Sequence, residues 1–418
     1  MTHRQSAGGS RAALIFALCL VVTVAYGALY YGFAVLITDD AAGAEFSRAL
    51  LSAAYGGAVI TSGLAAVPVG RLADRIGVRL IMAVGCLVAG AGLLAFSAAA
   101  SGLQVLAAWW LVLGPAIAMT FYEPAYVAIQ HAFGPQSRAR AIGALTLTAG
   151  FSGPIFTPGT AVLVDAFGWR DATRLFAFLL LACAPIAALL IRARPPHGRA
   201  RAATDPGWAA LLARLAGGRL GLFTLGTVLA YGALEAVVVH RVARFEEDGF
   251  RLATVTLWAA IAGLITLPGR FLLPVLARRR RATDVFAGVL LVLTASTALM
   301  IAGDAYWQMA LSFVLFGLVF GAALPLRAVV MGEWVGTEIF GSLMGAQAAA
   351  IAAGRATLPA LVGLVHDGLD GYTAAMALLT ALLLVSAVLV VGSGRRRARR
   401  SRRTGLRPPR GEPPEPPR

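Results

Sequence analysis

The chain has 418 residues, of which 59% are hydrophobic and only 13% are charged. A water-soluble protein cannot cover its surface with so few charges, so the composition excludes an ordinary soluble domain. Apolar runs of about 20 residues recur along the chain, and each is long enough to cross a hydrocarbon core of roughly 30 Å as a helix. Because no stretch alternates with the period of two that a membrane β-barrel needs, we predict an all-α integral membrane protein.

The first apolar run, residues 12–37, is too long for a signal-peptide core, and no small-residue cleavage site precedes its end. We therefore expect it to be a retained membrane span. Twelve spans are predicted in total, at residues 12–37, 49–69, 80–100, 103–130, 140–165, 172–191, 220–240, 252–276, 283–302, 305–330, 339–365 and 372–392. The three cysteines lie inside apolar runs, so neither a disulfide framework nor a metal cluster is expected.

The positive charge is explained by membrane topology. The formal net charge is +16, and all 36 basic residues are arginine. Of these, 27 lie in the two tails and in the loops on the same side as the tails, whereas six lie in the loops on the opposite side. By the positive-inside rule, this bias predicts a multi-pass protein of the bacterial cytoplasmic membrane with both termini in the cytoplasm. No nucleic-acid partner is expected.

The chain divides into two groups of six spans. We predict an N-terminal tail (1–11), an N-terminal half (12–191), a central cytoplasmic loop (192–219), a C-terminal half (220–393) and a basic tail (394–418). The tail is rich in arginine and proline and is predicted to be disordered. "PVGRLADR" follows span 2, and "LLPVLARR" follows span 8 about 204 residues later, so the halves are expected to be pseudo-symmetric.

The loop between spans 2 and 3 carries the most specific motif, "GRLADRIGVRL". Its glycines, Gly70 and Gly77, permit a tight turn and a close approach of two helices. Asp74 can face the positive N-terminal end of a helix from the other half and hold the cytoplasmic side closed. Arg75 and Arg79 serve topology and can pair with Asp74. An ordinary charged loop would explain the arginines but not the Gly-Asp-Gly spacing, and the family resemblance that this spacing carries implies that these five residues form a gating loop.

This loop resembles the signature of the major facilitator superfamily at nearly every defining position. The resemblance implies a membrane transporter with the twelve-helix major facilitator fold, with no cofactor, catalytic group or metal. "YGALYYGFAVLI", "FGWR" and "RATLPALVGLVHDGLDGYTAAM" are further similar to monocarboxylate transporters and oxalate/formate antiporters. The similarity implies a small organic anion such as a monocarboxylate as the solute, with possible coupling to protons, carried by a monomer in the lipid bilayer.

Five ionisable residues fall inside spans, where charges are costly and are functional candidates by default: Glu123, Glu235, Arg270, Arg327 and Arg355. Arg270 on span 8 and Arg355 on span 11 match the basic positions that the related antiporters are understood to use for carboxylates. A guanidinium suits bidentate carboxylate binding. The alternative is that each arginine pairs internally, for example with Glu235. Arg327 lies near a span end, so snorkelling or a gate contact is expected.

Glu123 precedes Pro124 on span 4, and the proline is expected to bend the helix. Three hypotheses remain open for Glu123: a proton site, a fixed partner of an arginine such as Arg270 or Arg355, or a solvated gate residue. Glu235 is either a second proton site or part of the vestibule wall. The tyrosines on spans 1 and 4, namely Tyr26, Tyr30, Tyr122 and Tyr126, either line a cavity or pack in the interior.

Two other functions remain open at this stage. One is efflux of a neutral or cationic metabolite or drug, in which Glu123 and Glu235 would face the substrate. The other is a membrane sensor that does not transport, although neither tail can supply the folded soluble domain that such proteins usually carry.

Overall fold

A computed structural model describes residues 2–192, 208–302, 304–369 and 371–403. Within these residues the regular elements are helices, which confirms the predicted all-α class. Numbering of the spans follows the predicted order.

The N-terminal half contains spans 1 to 6. Span 1 comprises Thr2–Tyr26, the π-helical turn Gly27–Gly32 and Phe33–Thr38; a short helix, Asp40–Glu45, follows. Spans 2 and 3 are Arg48–Ile76 and Val78–Ser97. Span 4 comprises Gly102–Ala107, the π-helical turn Ala108–Leu113, Gly114–Thr120 and Tyr122–Ala132. Spans 5 and 6 together comprise Pro135–Gly150 and Ser152–Leu190.

The C-terminal half contains spans 7 to 12. Spans 7, 8 and 9 are Gly218–Glu247, Leu252–Leu276 and Ala282–Ala298. Span 10 comprises Tyr306–Phe320 and Ala323–Trp334, and spans 11 and 12 are Phe340–Leu369 and Tyr372–Arg403.

The helix count agrees with the predicted twelve spans. Ten helices of the described residues have the length and mean hydropathy of a membrane span. One of them, Gln136–Leu190, is 55 residues long and contains two spans, because Gly168 breaks it with φ 80° and ψ 161°. The 17-residue helix Ala282–Ala298 is apolar but shorter, and it occupies the place of predicted span 9.

The segments that flank the halves contain more helix than the sequence predicted. The N-terminal tail is helical from Thr2, and span 12 continues to Arg403, so the first ten residues of the predicted disordered tail are helical. Arginine and alanine are good helix formers, which explains the extension. Residues 404–418 lie outside the described part. The central loop contains the helix Trp208–Ala216, which buries Leu211 and Leu215.

Spans 4 and 10 are both interrupted shortly before a proline. Span 4 breaks at Phe121, where ψ is −155°, and span 10 breaks between Phe320 and Ala323. A proline follows each break, at Pro124 and Pro325. Because a proline cannot donate the i→i−4 hydrogen bond and its ring crowds the preceding turn, each span is divided into two helical segments. The bend predicted from Pro124 is therefore confirmed.

The two halves meet most closely where span 2 crosses span 11. A methyl group built on Gly70 would overlap the carbonyl oxygen of Gly341, and one built on Gly341 would lie 2.5 Å from the carbonyl oxygen of Gly70. Gly345 meets the backbone of Ala66 in the same way. The crossing thus depends on residues without side chains. It confirms that Gly70 serves close helix approach.

Candidate functional site

Asp74 links span 2 to the beginning of span 11. Its Oδ1 accepts a hydrogen bond from the backbone N–H of Gly341 at 2.8 Å. Its Oδ2 accepts from the backbone N–H and the hydroxyl of Ser342, at 2.7 and 2.8 Å. The carboxylate therefore satisfies free N–H groups at a helix N-terminus, where the helix dipole favours negative charge.

The rest of the gating loop closes the turn between spans 2 and 3. Gly77 ends span 2 with φ 87°, a left-handed conformation that favours glycine, which confirms the predicted tight turn. Arg75 and Arg79 are exposed at the same end of the bundle. We call this end of the molecule, where Asp74 meets span 11, the latch end.

Further contacts join the halves at the latch end. Arg138 of span 5 donates from Nη1 to the carbonyl of Gly332 at 3.0 Å, and Gln130 of span 4 donates to the same carbonyl at 3.3 Å. His131 Nε2 lies 3.1 Å from the carbonyl of Thr337. Side chains of the N-terminal half thus hold backbone carbonyls of the C-terminal half. The inter-half hydrogen bonds gather in this part of the bundle, so the latch end is closed.

Glu123 forms an ion pair that crosses between the halves. Its Oε1 lies 2.8 Å from Nη2 of Arg327 on span 10. The Arg327 side chain is 1% exposed, so the expectation that it snorkels to the membrane surface is wrong, whereas a contact between the halves is present. The partner of Glu123 is also not Arg270 or Arg355, which the sequence had suggested. Helix rotation, which the sequence does not encode locally, brings Arg327 to this position.

The backbone also favours negative charge at Glu123. The residue lies in the first turn of the helical segment Tyr122–Ala132, which begins only because span 4 breaks at Phe121. Acidic side chains are stabilised in the first turn of a helix by its positive end. The break near Pro124 therefore creates the helix N-terminus at which the charge of Glu123 lies.

Arg355 pairs with Glu235 within the C-terminal half. Nε and Nη2 of Arg355 both lie 2.9 Å from Oε2 of Glu235, which joins span 11 to span 7. The two side chains are 37% and 33% exposed although both residues lie midway along 30-residue helices. Arg355 also interacts electrostatically with Tyr30 and Tyr55 of the opposite half. The pair therefore faces the space between the two halves.

Arg270 lies in the seam between spans 8 and 5 without a carboxylate partner among the described residues. Its Nη1 donates to the hydroxyl of Tyr122 at 3.3 Å, and its Nε is buried without a hydrogen-bond partner. The carbonyl of Arg270 accepts from the hydroxyl of Thr146 at 3.2 Å, which fixes the backbone there. A guanidinium held by one neutral hydroxyl retains donors for an anion.

Aromatic side chains of the N-terminal half face these arginines. The rings of Tyr122 and Tyr126 are stacked at 5.6 Å, and Tyr26 lies 4.8 Å from Tyr122. Tyr30 belongs to the π-helical turn of span 1 and lies 5.9 Å from Tyr55. Tyr122 and Tyr126 are almost fully buried, whereas Tyr26 and Tyr30 are partly exposed. The four predicted tyrosines thus form one wall. Tyr122 and Tyr126 are packing residues in this wall, and Tyr26 and Tyr30 lie near the open space between the halves.

The centre contains three arginines and two glutamates, so one positive charge remains without a carboxylate among the described residues. Several buried polar atoms there also lack a hydrogen-bond partner: Arg270 Nε, Arg327 Nε and Nη1, and the hydroxyls of Tyr126 and Tyr231. Buried polar groups are normally satisfied. The arrangement is suited to bind an anion that brings its own acceptor oxygens.

Sequence reasoning missed two members of this centre, Tyr55 and Tyr231. Tyr231 lies on span 7 and interacts electrostatically with Glu123, Arg327 and Arg355. Neither tyrosine belongs to a spacing pattern that distinguishes it from a packing residue. For Arg327 the sequence does contain a pattern that indicates a place in this centre. Pro124 and Pro325 occupy equivalent positions in the two halves, which places Arg327 opposite Tyr126 in the repeat.

At the end of the bundle opposite the latch, Arg170 joins the segments of the N-terminal half. It donates to the carbonyls of Ser97 and Ala99, at 2.6 and 3.0 Å, and forms an ion pair with Glu45. Glu45 also accepts from the indole N–H of Trp169 at 3.2 Å. The hydrogen bond from Arg170 holds the pKa of Glu45 below its usual range. The "FGWR" segment is thus a structural anchor.

Comparison with a family model and with known proteins agrees with this architecture. Residues 15–303 match the model described as Major Facilitator Superfamily. The chain is 26% identical over 347 residues to the human protein named monocarboxylate transporter 11, a match that covers 78% of this chain and 71% of that protein.

Two solved structures share the fold at low sequence identity. A crystal structure of the Escherichia coli fucose:proton symporter matches with a TM-score of 0.72 at 16% identity, covering 91% of this chain and 98% of the other. The human organic anion transporter TETRAN matches with a TM-score of 0.67 at 16% identity, covering 91% and 99%. These similarities confirm the twelve-helix fold that the gating-loop motif implied.

Proposed function

Because the chain belongs to the major facilitator superfamily of membrane transporters, we propose that it is a secondary transporter of a small organic anion such as a monocarboxylate. The two six-helix halves would rock about a central site that opens alternately to the two sides of the membrane. Proton coupling is part of the proposal.

The observation that carries the proposal is the position of Arg270. Its guanidinium lies between the halves, its hydrogen bond to Tyr122 involves a neutral hydroxyl, and its buried Nε has no partner. A partly buried arginine is stabilised by an anion with which it can form charge-assisted hydrogen bonds. A substrate carboxylate meets this requirement, and a cation does not.

Arg355 is the proposed second contact. Its pair with Glu235 is about one-third exposed toward the space between the halves, so a carboxylate that enters this space can compete for the guanidinium. The similarity to a protein named as a monocarboxylate transporter supports the same class of solute. Cationic or neutral cargo is less favoured, because Glu123 and Glu235 are each already paired with an arginine.

The predicted topology indicates on which side of the membrane the closed latch end lies. If the excess of arginine in the tails and their adjoining loops marks the cytoplasmic side, the latch end is cytoplasmic. The closed latch end then corresponds to an outward-facing state of a protein in the cytoplasmic membrane. This assignment belongs to the proposal and can be tested by labelling the termini from one side.

A thermal-unfolding assay on the purified protein tests the class of solute. Sodium salts of short monocarboxylates should stabilise the wild type, since ligand at 100 times its Kd adds about 2.7 kcal/mol. Chloride salts of quaternary ammonium ions should not. The stabilisation should be lost in Arg270→Gln and kept in Arg280→Gln, which changes an exposed loop arginine. Stabilisation by the cations alone, or equal stabilisation of Arg270→Gln by carboxylates, would contradict the proposal.

A further inference from the structure

Arg241 is, like Arg270, an arginine of the bundle without a carboxylate partner among the described residues. It lies six residues before the end of the helix Gly218–Glu247, which extends span 7 beyond its predicted end at residue 240. The side chain is only partly exposed, and its Nε and Nη1 are buried without a hydrogen-bond partner. Since buried polar groups are normally satisfied, these N–H groups are able to bind an acceptor.

Arg244, about one helical turn further along span 7, is fully engaged. Its Nε donates to the carbonyl of Met300 at 2.9 Å, and its Nη2 donates to the carbonyl of Ile301 at 3.3 Å. Its Nη1 forms an ion pair with Asp248. The charges of Arg244 and Asp248 cancel, so the positive charge of Arg241 is not compensated by the described residues around it.

Two phenyl rings of span 10 lie against the guanidinium of Arg241. Its central carbon is 5.1 Å from the ring centre of Phe313 and 4.9 Å from that of Phe316. The negative faces of aromatic rings attract a cation, so these contacts hold the side chain in place. Phenyl rings supply no oxygen to accept its hydrogen bonds. The rings therefore position Arg241 without satisfying its N–H groups.

Arg241 lines a small recess between spans 7, 9 and 10. The walls are mostly apolar, and the other polar side chains of the lining are Ser296 of span 9 and Ser312 of span 10. Their hydroxyls donate to the backbone carbonyls of Ser312 and Met309, at 2.8 and 2.7 Å. The guanidinium is therefore the part of the lining that has unsatisfied donors.

The size of the recess limits what it can hold. There is room for about one particle of the size of a water molecule. A chloride ion is only slightly larger, whereas an organic carboxylate has more non-hydrogen atoms than the space admits. A water molecule would satisfy an N–H group but would leave the positive charge in an apolar surrounding, which is costly.

The recess lies toward the end of the bundle opposite the latch. Span 7 begins at the latch end, where the ring of Phe223 lies 5.3 Å from that of Trp334, just after the latch-end contact at Gly332. Arg241 is about 9 Å from the other end of this helix. Since the 30 residues of the helix are about 45 Å long and the hydrocarbon core is about 30 Å thick, Arg241 is near the level where the core ends. Aqueous ions thus have a short path to it.

We propose that this recess is a binding site for a small inorganic monoanion of the size of chloride. The N–H groups of Arg241 donate charge-assisted hydrogen bonds to the anion. The bound anion neutralises the guanidinium and links span 7 to spans 9 and 10, so it stabilises the folded C-terminal half. The lining includes none of the central arginines, so the site does not depend on the class of solute that the protein carries.

Thermal unfolding of the purified protein in different sodium salts tests the site. At equal ionic strength, sodium chloride should raise the melting temperature of the wild type above that in sodium gluconate by roughly 2 °C or more, and the rise should saturate. Sodium phosphate should give no such rise, because phosphate exceeds the size of the recess. A rise with phosphate instead of chloride would overturn the proposal and indicate a phosphate or lipid-headgroup site.

Variants locate the effect of chloride. Arg241→Met keeps a long side chain and removes the donors, so it should abolish the rise. Arg251→Gln is the matched control, since it changes an exposed arginine at the same end of the bundle and should keep the rise. Arg270→Gln should also keep it, because Arg270 belongs to the central site. The proposal is overturned if Arg241→Met keeps the rise, or if Arg270→Gln loses it.

Bromide provides a second measurement that needs no variant. If Arg241→Met does not fold, crystals of the wild type grown in sodium bromide should show an anomalous scattering peak beside the guanidinium of Arg241. Saturating bromide without that peak would overturn the proposal. In the solute assay of the proposed function, a constant excess of chloride keeps the recess filled, so the two sites are measured independently. A failure of carboxylates to stabilise the protein would then leave the chloride effect unchanged.

Discussion

At the scale of single residues, Glu123 is held by two positive features. Nη2 of Arg327 lies 2.8 Å from Oε1 of Glu123, and Glu123 lies in the first turn of the helical segment Tyr122–Ala132. A guanidinium and the positive end of a helix both attract a carboxylate. The break at Phe121 therefore places Glu123 at a helix N-terminus as well as beside Arg327.

Arg170 and Glu45 form an ion pair whose two members are expected to contribute unequally to the free energy of unfolding. Arg170 also holds two backbone carbonyls, so Arg170→Ala should lower the free energy of unfolding by about 1–3 kcal/mol. Glu45→Gln should cost less than about 1 kcal/mol, because the pair is about 32% and 42% exposed and solvent screens it. Thermal unfolding of the two variants at pH 7 measures the difference.

The ion pair of Arg170 and Glu45 also makes the stability of the folded protein depend on pH, and the pKa shift of Glu45 gives the sign. Since the pKa of Glu45 is lowered in the folded protein, its contribution is fully present above the ordinary glutamate pKa of about 4.3. It is lost as the pH falls through the lower folded-state pKa. The difference in melting temperature between wild type and Glu45→Gln should therefore disappear in acid. A difference that grows below pH 4 would contradict this account.

At the scale of elements, the crossing of spans 2 and 11 limits closure of the latch end. A methyl group at Gly341 would lie 2.5 Å from the carbonyl of Gly70 and 2.7 Å from Oδ1 of Asp74. Gly341→Ala should therefore push the helices apart and shift the population toward an open latch end. Spin-label distances across this end measure the shift.

The control for this substitution lies on span 2, the helix that Gly341 contacts. Gly56 of span 2 has open space where a methyl group would lie, so Gly56→Ala should leave the distances unchanged. Equal distances in wild type and Gly341→Ala would mean that the crossing tolerates the methyl group. The close approach would then not control closure.

The broken helices show what can be read from sequence at this scale. Pro124 correctly predicted a bend, and "GRLADRIGVRL" correctly predicted a tight turn at Gly77 and a carboxylate facing a helix N-terminus. Such features depend on local backbone chemistry. The helix Trp208–Ala216 was missed, although Leu211 and Leu215 have the spacing of one buried helical face.

At the scale of the whole molecule, the ion pairs between spans were predicted less accurately from the sequence than the helices were. Hydropathy and arginine bias depend on each segment alone, so the twelve spans could be predicted from the sequence. The pairing of Glu123 with Arg327, 204 residues away, depends on how spans 4 and 10 rotate and pack across the two halves. An internal pair with Glu235 was an open alternative for Arg355 in the sequence, and the structure contains that pair.

The molecule as a whole is closed at the latch end, and Arg270 lies at the seam between its halves without a carboxylate partner among the described residues. Uptake of a labelled monocarboxylate into proteoliposomes tests this account most directly. The wild type and Arg280→Gln should show saturable uptake, and Arg270→Gln and Arg355→Gln should lose it or need a roughly tenfold higher concentration. Uptake by both central variants with wild-type rate and apparent affinity, or transport of organic cations instead, would contradict it.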